Sequence, residues 1–186
     1  MEFRVAEYSD YQSVAELHAV SWQKAYKGIM RQSYLDESVL EDKQLIWQTR
    51  LLNPPFSQHV IIAEHQGELA GFICLFGNHN VEFGTIIDNL HVRASAQGKG
   101  VAKKLIALAM EWASKYYPDN GVFLEVLADN SNAIKFYESI GANRAMKQRG
   151  ESPCGRHVDE FIYVWKNPEA LMEQCVVSVV VCLFKQ

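Results

Sequence analysis

Short apolar runs and amphipathic stretches alternate along the chain, and together they predict a mixed domain of strands and helices. The first run, Phe3–Ala6, has the length of a strand. Helical spacing of apolar residues then follows twice, between Val14 and Ala25 and across Asp36–Leu52. Asn53-Pro54-Pro55 ends the second helix, because proline disfavours helical geometry in the residue before it.

The middle of the chain predicts three consecutive strands. His59–His65 and Leu69–Phe76 are two apolar runs separated by the turn Gln66-Gly67-Glu68, which is typical of an antiparallel hairpin. Glu82–Val92 is rich in isoleucine and valine and predicts the third strand.

The second half of the chain returns to alternating helices and strands. A helical stripe starts at Val101, an apolar strand covers Val122–Leu127, and a helix runs from about Asn130 to Gly141. Two last strands cover about Arg144–Gln148 and His157–Trp165. The predicted order is β-α-α-β-β-β-α-β-α-β-β, an α/β (α+β) fold with one parallel strand pair inside a mostly antiparallel sheet.

Nothing in the sequence divides the chain before about residue 167, so we predict a single domain over 1–167. The remaining segment, 168–186, has the composition of an appendage, and Val176–Phe184 within it is strongly apolar. An added edge strand, a contact in a homodimer and a poorly ordered tail are the alternatives. The apolar run is too short to span a bilayer.

Composition narrows the possible partners and the compartment. With 48% hydrophobic residues, 22% charged residues and a net charge of −4, the chain is typical of a globular protein and lacks the basic excess that nucleic-acid binding favours. The N-terminus lacks the apolar core of a signal peptide, and no partner membrane is expected. The cysteines, Cys74, Cys154, Cys175 and Cys182, have no metal-ligand spacing. We therefore expect free thiols, a cytoplasmic location and no metal site.

The sequence Gln97-Gly98-Lys99-Gly100 lies where a strand gives way to a helix. A Walker loop needs serine or threonine after Gly-Lys, and Gly100 stands there instead. A dinucleotide fingerprint needs a third glycine where this chain has Lys103. Two interpretations remain from this stretch alone: a glycine-rich turn, or a helix N-terminus whose backbone N–H groups hold a phosphate or pyrophosphate.

Two motifs in the correct order favour the second interpretation. Gln97-Gly98-Lys99-Gly100-Val101-Ala102 resembles the Q/R-x-x-G-x-G/A motif of the GNAT superfamily of acyl-CoA-dependent N-acetyltransferases, and the segment Asn130–Ala142 resembles that family's N-x-x-A-x-x-F/Y-Y-x-x-x-G-F signature. His18–Gly28 is similar to a first-helix pattern of one bacterial branch. The resemblance covers about residues 3–166. Its departures are small: Ala102 replaces the commoner glycine, and Ala142 replaces the usual aromatic residue.

The resemblance implies a mostly antiparallel sheet with a splayed parallel pair, helices on both faces, and acetyl-CoA as co-substrate. The backbone of Leu90, His91 and Val92 would pair with the pantetheine amides as an added strand. The pyrophosphate would lie on the amides that follow, and Asn130 would hydrogen-bond the pantetheine arm. The resemblance assigns the pyrophosphate to the amides of Gly98, Lys99, Gly100, Val101, Ala102 and Lys103, and it counts Gln97 among the residues that bind the coenzyme.

Acetyl transfer to an amine also needs an oxyanion donor, an acid and a base. A backbone N–H within Leu90–Val92 is the predicted oxyanion donor. Tyr137, which the family motif places beside the sulfur, is the predicted general acid for the leaving thiolate. For the base we predict Glu125 first, then Asp88, then an ordered water path. Trp22, with Tyr26 one helical turn later, either lines the acceptor pocket or packs the core.

The acceptor itself is not encoded in any motif. We expect a primary amine, with a small molecule preferred over a peptide N-terminus or a lysine side chain, and direct attack in a ternary complex. A catalytically silent acyl-CoA-binding module is the alternative from another class.

Overall fold

A computed structural model describes residues 1–183, and side chains up to residue 176. Within that range the elements follow the predicted order and add one C-terminal helix. They are β1 (Glu2–Val5), α1 (Tyr11–Ala25), α2 (Val39–Leu52), β2 (Gln58–His65), β3 (Glu68–Asn80), β4 (Gly84–Val92), α3 (Val101–Tyr116), β5 (Val122–Leu127), α4 (Ser131–Ser139), β6 (Asn143–Glu151), β7 (His157–Trp165) and α5 (Pro168–Leu183). The helix predicted from Asp36 begins at Val39, because Tyr34–Ser38 forms a separate π-helical turn anchored by the buried Leu35.

The strands form one seven-stranded sheet in the order β1-β2-β3-β4-β5-β7-β6. Neighbours are antiparallel except β4 and β5, which are parallel. Parallel neighbours need a crossover, and α3 supplies it. This confirms the predicted single parallel pair in a mostly antiparallel sheet.

The parallel pair is short because β4 bends away from β5. The two strands pair only at Thr85 with Val122 and at Ile86 with Phe123. On its other side β4 continues against β3, and the register shifts so that Asp88 has no partner there. An unpaired extra residue is a β-bulge, which bends its strand and increases the local twist. The two strands therefore open into a V towards the carboxyl end of β4.

Hydrophobic layers cover both faces of the sheet. On one face α1 and α2 enclose Trp47 and Phe72 between helices and strands. On the other face α3, α4 and α5 pack over β5 and β7, where Leu124 and Tyr163 are buried. Each fully buried aliphatic side chain of this kind contributes about 1.5–3 kcal/mol. The V lies between these layers, where α1 and α4 approach the sheet from opposite faces.

Residues 168–183 form helix α5, and not the edge strand that was one alternative for this segment. Leu171 is 0% exposed and Cys175 is 1% exposed, and both belong to the core under α3. The first half of α5 is therefore part of the domain's packing. A dimer contact through this segment stays a prediction, and Phe184, the end of the apolar run, lies outside the described residues. Within the described range, no helix has the length and hydropathy that a membrane span requires.

Candidate active site

The V between β4 and β5 opens into a cavity of about 730 Å³. Its walls come from the end of α1, the second half of β4, the end of β5, the start of α4 and the β6–β7 hairpin. Several predicted site residues meet there although they are far apart in sequence. They are Trp22, Tyr26, Asp88, Leu90, His91, Val92, Gln97, Glu125, Asn130 and Tyr137.

The backbone of β4 presents unused donors to this cavity. The N–H of Arg93 donates to the carbonyl of Ala70 on β3 at 2.8 Å. Because hydrogen-bonding directions alternate along a strand, His91 also points its N–H towards β3, whereas Leu90 and Val92 point theirs towards the V. The carbonyl of Val92 points the same way, and it accepts the side-chain N–H of Gln97 at 3.0 Å.

The glycine junction, or glycine rim, lies between Gln97, which lines the cavity, and the start of α3; Gly98–Lys103 do not themselves line the cavity. Gly98 has φ +75° and Gly100 has φ +79°, a region that other residues adopt at a cost. A Cβ built at either position meets nothing within 4 Å, so open space lies above both. The first helical bond runs from the Lys104 N–H to the Gly100 carbonyl at 3.0 Å. The amides between these two residues are therefore free to face an anion.

Side chains of this rim divide into exposed and packed ones. Lys99 is exposed, Lys103 is half-buried, and Val101 is buried beneath the helix. The predicted anion site is thus built from backbone amides, with Lys99 as a nearby exposed charge.

Asn130 caps helix α4. Its side-chain oxygen accepts the Ala133 N–H at 3.3 Å, which satisfies one of the free donors of the first turn. The capped helix then carries Tyr137 two turns along, where its ring packs against Phe136 at 5.3 Å between centroids. The cap therefore fixes the helix that aims Tyr137 into the cavity.

Two tyrosines from opposite faces of the sheet come close in the V. Burial raises the pKa of Tyr26 to about 12; the charge of Glu160 adds to this, and a hydrogen bond with Asn130 opposes it. Burial, and then the neighbouring Tyr26, raise the pKa of Tyr137. Both phenols stay protonated at neutral pH, so each can donate a hydrogen bond.

The Trp22 ring both faces the cavity and packs against neighbouring side chains, the two positions predicted as alternatives. The ring lines the cavity, and it packs in an edge-to-face arrangement with Tyr26 at 5.1 Å. Behind the ring lies Lys43, which is 3% exposed and holds its Nζ 3.2 Å from the ring centroid. Burial lowers the pKa of Lys43 to about 8. This cation–π contact, which sequence reasoning missed, fixes the Trp22 ring from outside the cavity.

His91 packs its imidazole into the layer under α1. The ring lies 4.6 Å from that of His18 and 5.3 Å from that of Phe72. Burial, together with the charge of Lys43, lowers the pKa of His91 to about 3. The side chain is therefore neutral at physiological pH, and its packing leaves the neighbouring backbone to face the cavity.

The two predicted base candidates have different surroundings. The Asp88 carboxylate accepts the Arg50 guanidinium at 2.6 Å and also the side-chain amide of Asn89. This ion pair occupies the carboxylate, so it counts against Asp88 as the group that receives the amine's proton. Glu125 is exposed on β5 and accepts the Gln148 amide at 3.0 Å.

Sequence reasoning missed a second acid on the same wall. Glu160 on β7 lies opposite Leu127 of β5 and Gln148 of β6 in the ladder, and it lines the cavity. The sequence feature that could have revealed Glu160 is a carboxylate between Val158 and Ile162, on a strand face that is otherwise apolar. Period-two alternation of the strand contains that signal, but nothing in the sequence says that this face meets the cavity.

The β6–β7 hairpin closes the far end of the cavity through contacts with the loop after α1. Arg156 donates to the Ile29 carbonyl at 3.0 Å, and the Arg31 N–H donates to the Cys154 sulfur at 3.4 Å. Ser152 is buried at the base of this turn. The two last predicted strands thus form a hairpin that closes the far side of the cavity. Among the described residues, no group of three or more His, Cys, Asp or Glu side chains could hold a metal.

Comparisons with known proteins identify the architecture. Residues 9–142 match the family model described as acetyltransferase (GNAT) family. The fold is similar to the PaiA N-acetyltransferase from Thermoplasma acidophilum, whose structure contains coenzyme A, at 19% identity and TM-score 0.69 over 89% of this chain and 99% of that one.

Two further structures are similar to this chain. YncA from Salmonella typhimurium, determined with its cofactor acetyl-CoA, has 18% identity and TM-score 0.63 over 89% of this chain and 93% of that one. An N-acetyltransferase from Staphylococcus aureus Mu50 has 18% identity and TM-score 0.64 over 89% and 97%. No curated protein matches the sequence.

The family match covers well over half of the chain, and the sheet has the predicted splayed pair beside the glycine junction. The chain therefore belongs to the acetyltransferase (GNAT) family of acetyl-CoA-dependent N-acetyltransferases.

Proposed function

We propose that this enzyme transfers the acetyl group of acetyl-CoA to the primary amine of a small molecule, by direct attack in a ternary complex. The observation that carries the proposal is one cavity that the free β4 amides and Tyr137 line, with the glycine rim following its lining residue Gln97. The relatives determined with coenzyme A and acetyl-CoA support the choice of co-substrate.

The chain's own groups fit a phosphorylated, amide-bearing ligand. The open space above Gly98 and Gly100 admits a pyrophosphate to within hydrogen-bond distance of the backbone, where a side chain would block it. Amides at the start of α3 then donate to the anion, and the helix dipole favours its charge. The outward N–H groups of Leu90 and Val92 continue the sheet's hydrogen bonding towards the pantetheine amides.

The same outward amides suit the thioester carbonyl. An N–H of Leu90 or Val92 would stabilise the oxyanion that develops during attack, an effect worth about 2.7–4 kcal/mol for comparable donors. Tyr137 would donate its phenolic proton to the departing thiolate. Its raised pKa keeps the proton on the phenol until the thiolate forms, because a buried phenolate is costly.

The acceptor end of the cavity favours a compact cationic amine. Trp22 and Tyr26 form an aromatic wall, and Glu125 and Glu160 lie on the strands opposite. An ammonium group is attracted to both kinds of surface. The hydrogen bond between the β6–β7 hairpin and the loop after α1 narrows this end of the cavity, which suits a small molecule better than the lysine of a folded protein.

The direct test is coenzyme A release from acetyl-CoA, followed by thiol detection, with a panel of diamines, amino acids, aminoglycosides and short peptides. We expect release with at least one small amine and one added acetyl group in the product by mass spectrometry. Acetyl-CoA binding without release for any amine would identify an acyl-CoA-binding module instead. Release only with peptides would identify a protein acetyltransferase.

Tyr137→Phe tests the acid within the same assay. It should lower kcat on the order of 10²-fold, because general acid catalysis contributes that much, while acetyl-CoA affinity by calorimetry stays the same. Phe136→Tyr, a change of similar size on the same helix, serves as the control for packing. Full turnover in Tyr137→Phe would remove this residue from the acid role.

We further propose the cytoplasm as the compartment. Cys74, Cys154 and Cys175 are free thiols in the described part of the chain, and two of them are buried. Free cysteines are typical of a reducing compartment.

A further inference from the structure

Glu160 occupies an unusual position in the sheet. On its face of β7 the neighbours Val158 and Ile162 are apolar and pack in hydrophobic clusters. A carboxylate within such a row costs stability unless hydrogen bonds or a bound cation compensate its burial. The half-buried Glu160 faces the acceptor end of the cavity, across from Tyr26.

The surroundings hold this carboxylate in place without neutralising it. Gln148 donates its side-chain amide to Glu160 at 3.3 Å and to Glu125 at 3.0 Å. A Cβ on Gly150 would lie 2.9 Å from Glu160 Oε2, so glycine in β6 leaves room for the group. Among the described residues no lysine or arginine pairs with Glu160, in contrast to Asp88 and its partner Arg50.

The groups around Glu160 also make its carboxylate a better proton acceptor. Burial raises the pKa of Glu160, the negative charge of Glu125 from β5 raises it further, and the Gln148 hydrogen bond from β6 opposes both. From α1 the facing titratable group is Tyr26, whose pKa responds to the Glu160 charge. A carboxylate made more basic by its site accepts a proton more readily than an exposed one.

Glu160, Tyr26 and Tyr137 all line the cavity. The charge of Glu160 acts on Tyr26, and Tyr26 acts in turn on Tyr137. The proposed acid is carried by α4 and Glu160 by β7, and the Trp22–Tyr26 wall lines the same cavity. An amine bound against that wall would have an acceptor for its proton on one side and the thioester on the other.

We propose that Glu160 is the general base that takes the proton from the acceptor ammonium, an inference that rests on the acetyl transfer proposed above. The neutral amine then attacks the thioester carbon, so a C–N bond forms and the C–S bond breaks. Tyr137 gives its proton to the thiolate, and the second proton leaving the nitrogen restores the phenol. The products are the amide and coenzyme A, and the proton held by Glu160 is released to solvent.

The test compares Glu160→Gln with Asp159→Asn, its neighbour on the opposite face of β7, which is ion-paired with Lys147. We expect Glu160→Gln to lower kcat/KM for the amine about 10²–10⁴-fold at pH 7. Acetyl-CoA affinity should not change, and the unfolding temperature should be equal or higher, because a half-buried charge facing Glu125 has been removed. Asp159→Asn should keep wild-type activity.

The pH profile separates a base from a structural residue. Wild-type kcat/KM should reach a plateau once Glu160 is ionised. In Glu160→Gln it should rise tenfold per pH unit towards the pKa of the amine, near 10, because only the free amine reacts.

Each outcome bears on a different claim. If Glu160→Gln keeps wild-type activity and profile, or if Glu125→Gln shows the loss instead, the assignment of Glu160 is overturned. If the wild-type protein itself releases no coenzyme A with any amine of the panel, the acetyl transfer proposed above is refuted, and the base assignment fails with it.

Discussion

Replacing Gly100 with alanine tests whether the backbone of the glycine rim meets the pyrophosphate. Gly100 has φ +79°, and a Cβ there would meet nothing within 4 Å, so the substitution introduces backbone strain and no steric clash in the free protein. Alanine in this conformation costs about 1–2 kcal/mol. Since 1 kcal/mol corresponds to about 2–4 °C in a domain of this size, the unfolding temperature should fall by about 2–8 °C.

The chain offers a matched control for that strain. Gly67, in the β2–β3 turn, has φ +78° and equally open surroundings, and it lies in a different loop from the β4–α3 junction. Gly67→Ala should therefore lose the same stability as Gly100→Ala. Only Gly100→Ala should also lose acetyl-CoA affinity, by tenfold or more, because its Cβ occupies the space from which a phosphate would approach the amides.

Differential scanning fluorimetry measures the first effect, and calorimetric titration with acetyl-CoA measures the second. A tenfold change in the dissociation constant corresponds to about 1.4 kcal/mol, a difference that the titration measures readily. The reasoning is refuted if Gly100→Ala and Gly67→Ala bind acetyl-CoA equally well. Gly98→Ala, at φ +75° on the same rim, should repeat the result for Gly100.

Two further predictions follow from the packing around the V. Asn130→Ala should destabilise the protein by about 1 kcal/mol in urea unfolding, because the α4 cap is lost. Asn130→Ser keeps a capping side chain and should lose much less stability. Equal losses in the two variants would contradict the capping role. His91, with its lowered pKa, stays neutral in the folded state and protonates more easily when unfolded, so its contribution to stability is present above pH 6.5 and is lost as the pH falls. Between pH 7.5 and 5.5 the free energy of unfolding should fall by about 1.4 kcal/mol for this reason. This fall should disappear in His91→Phe. The same pH dependence of unfolding in both proteins would show that His91 is not buried in its neutral form.

The sequence alone determined the order of strands and helices up to β7 and contained the two motifs that predict the co-substrate end of the site. Apolar periodicity specifies each strand and helix locally, since residues that share a face repeat every two or 3.6 positions. Gly98 and Gly100 required special backbone conformations, and Asn130 caps a helix within its own segment, so short motifs contain this information. These features depend on contacts between residues close in sequence.

Only the tertiary structure decided the acceptor end. The pairing of Asp88 with Arg50, the contact of Lys43 with Trp22, and the arrival of Glu160 at the cavity all join segments separated by long stretches of chain. A carboxylate's basicity depends on burial and on neighbouring charges, and neither is visible in a linear sequence. Glu125 and Asp88 could therefore be chosen from sequence as acids near the motif, whereas Glu160 could be found only where β5, β6 and β7 meet.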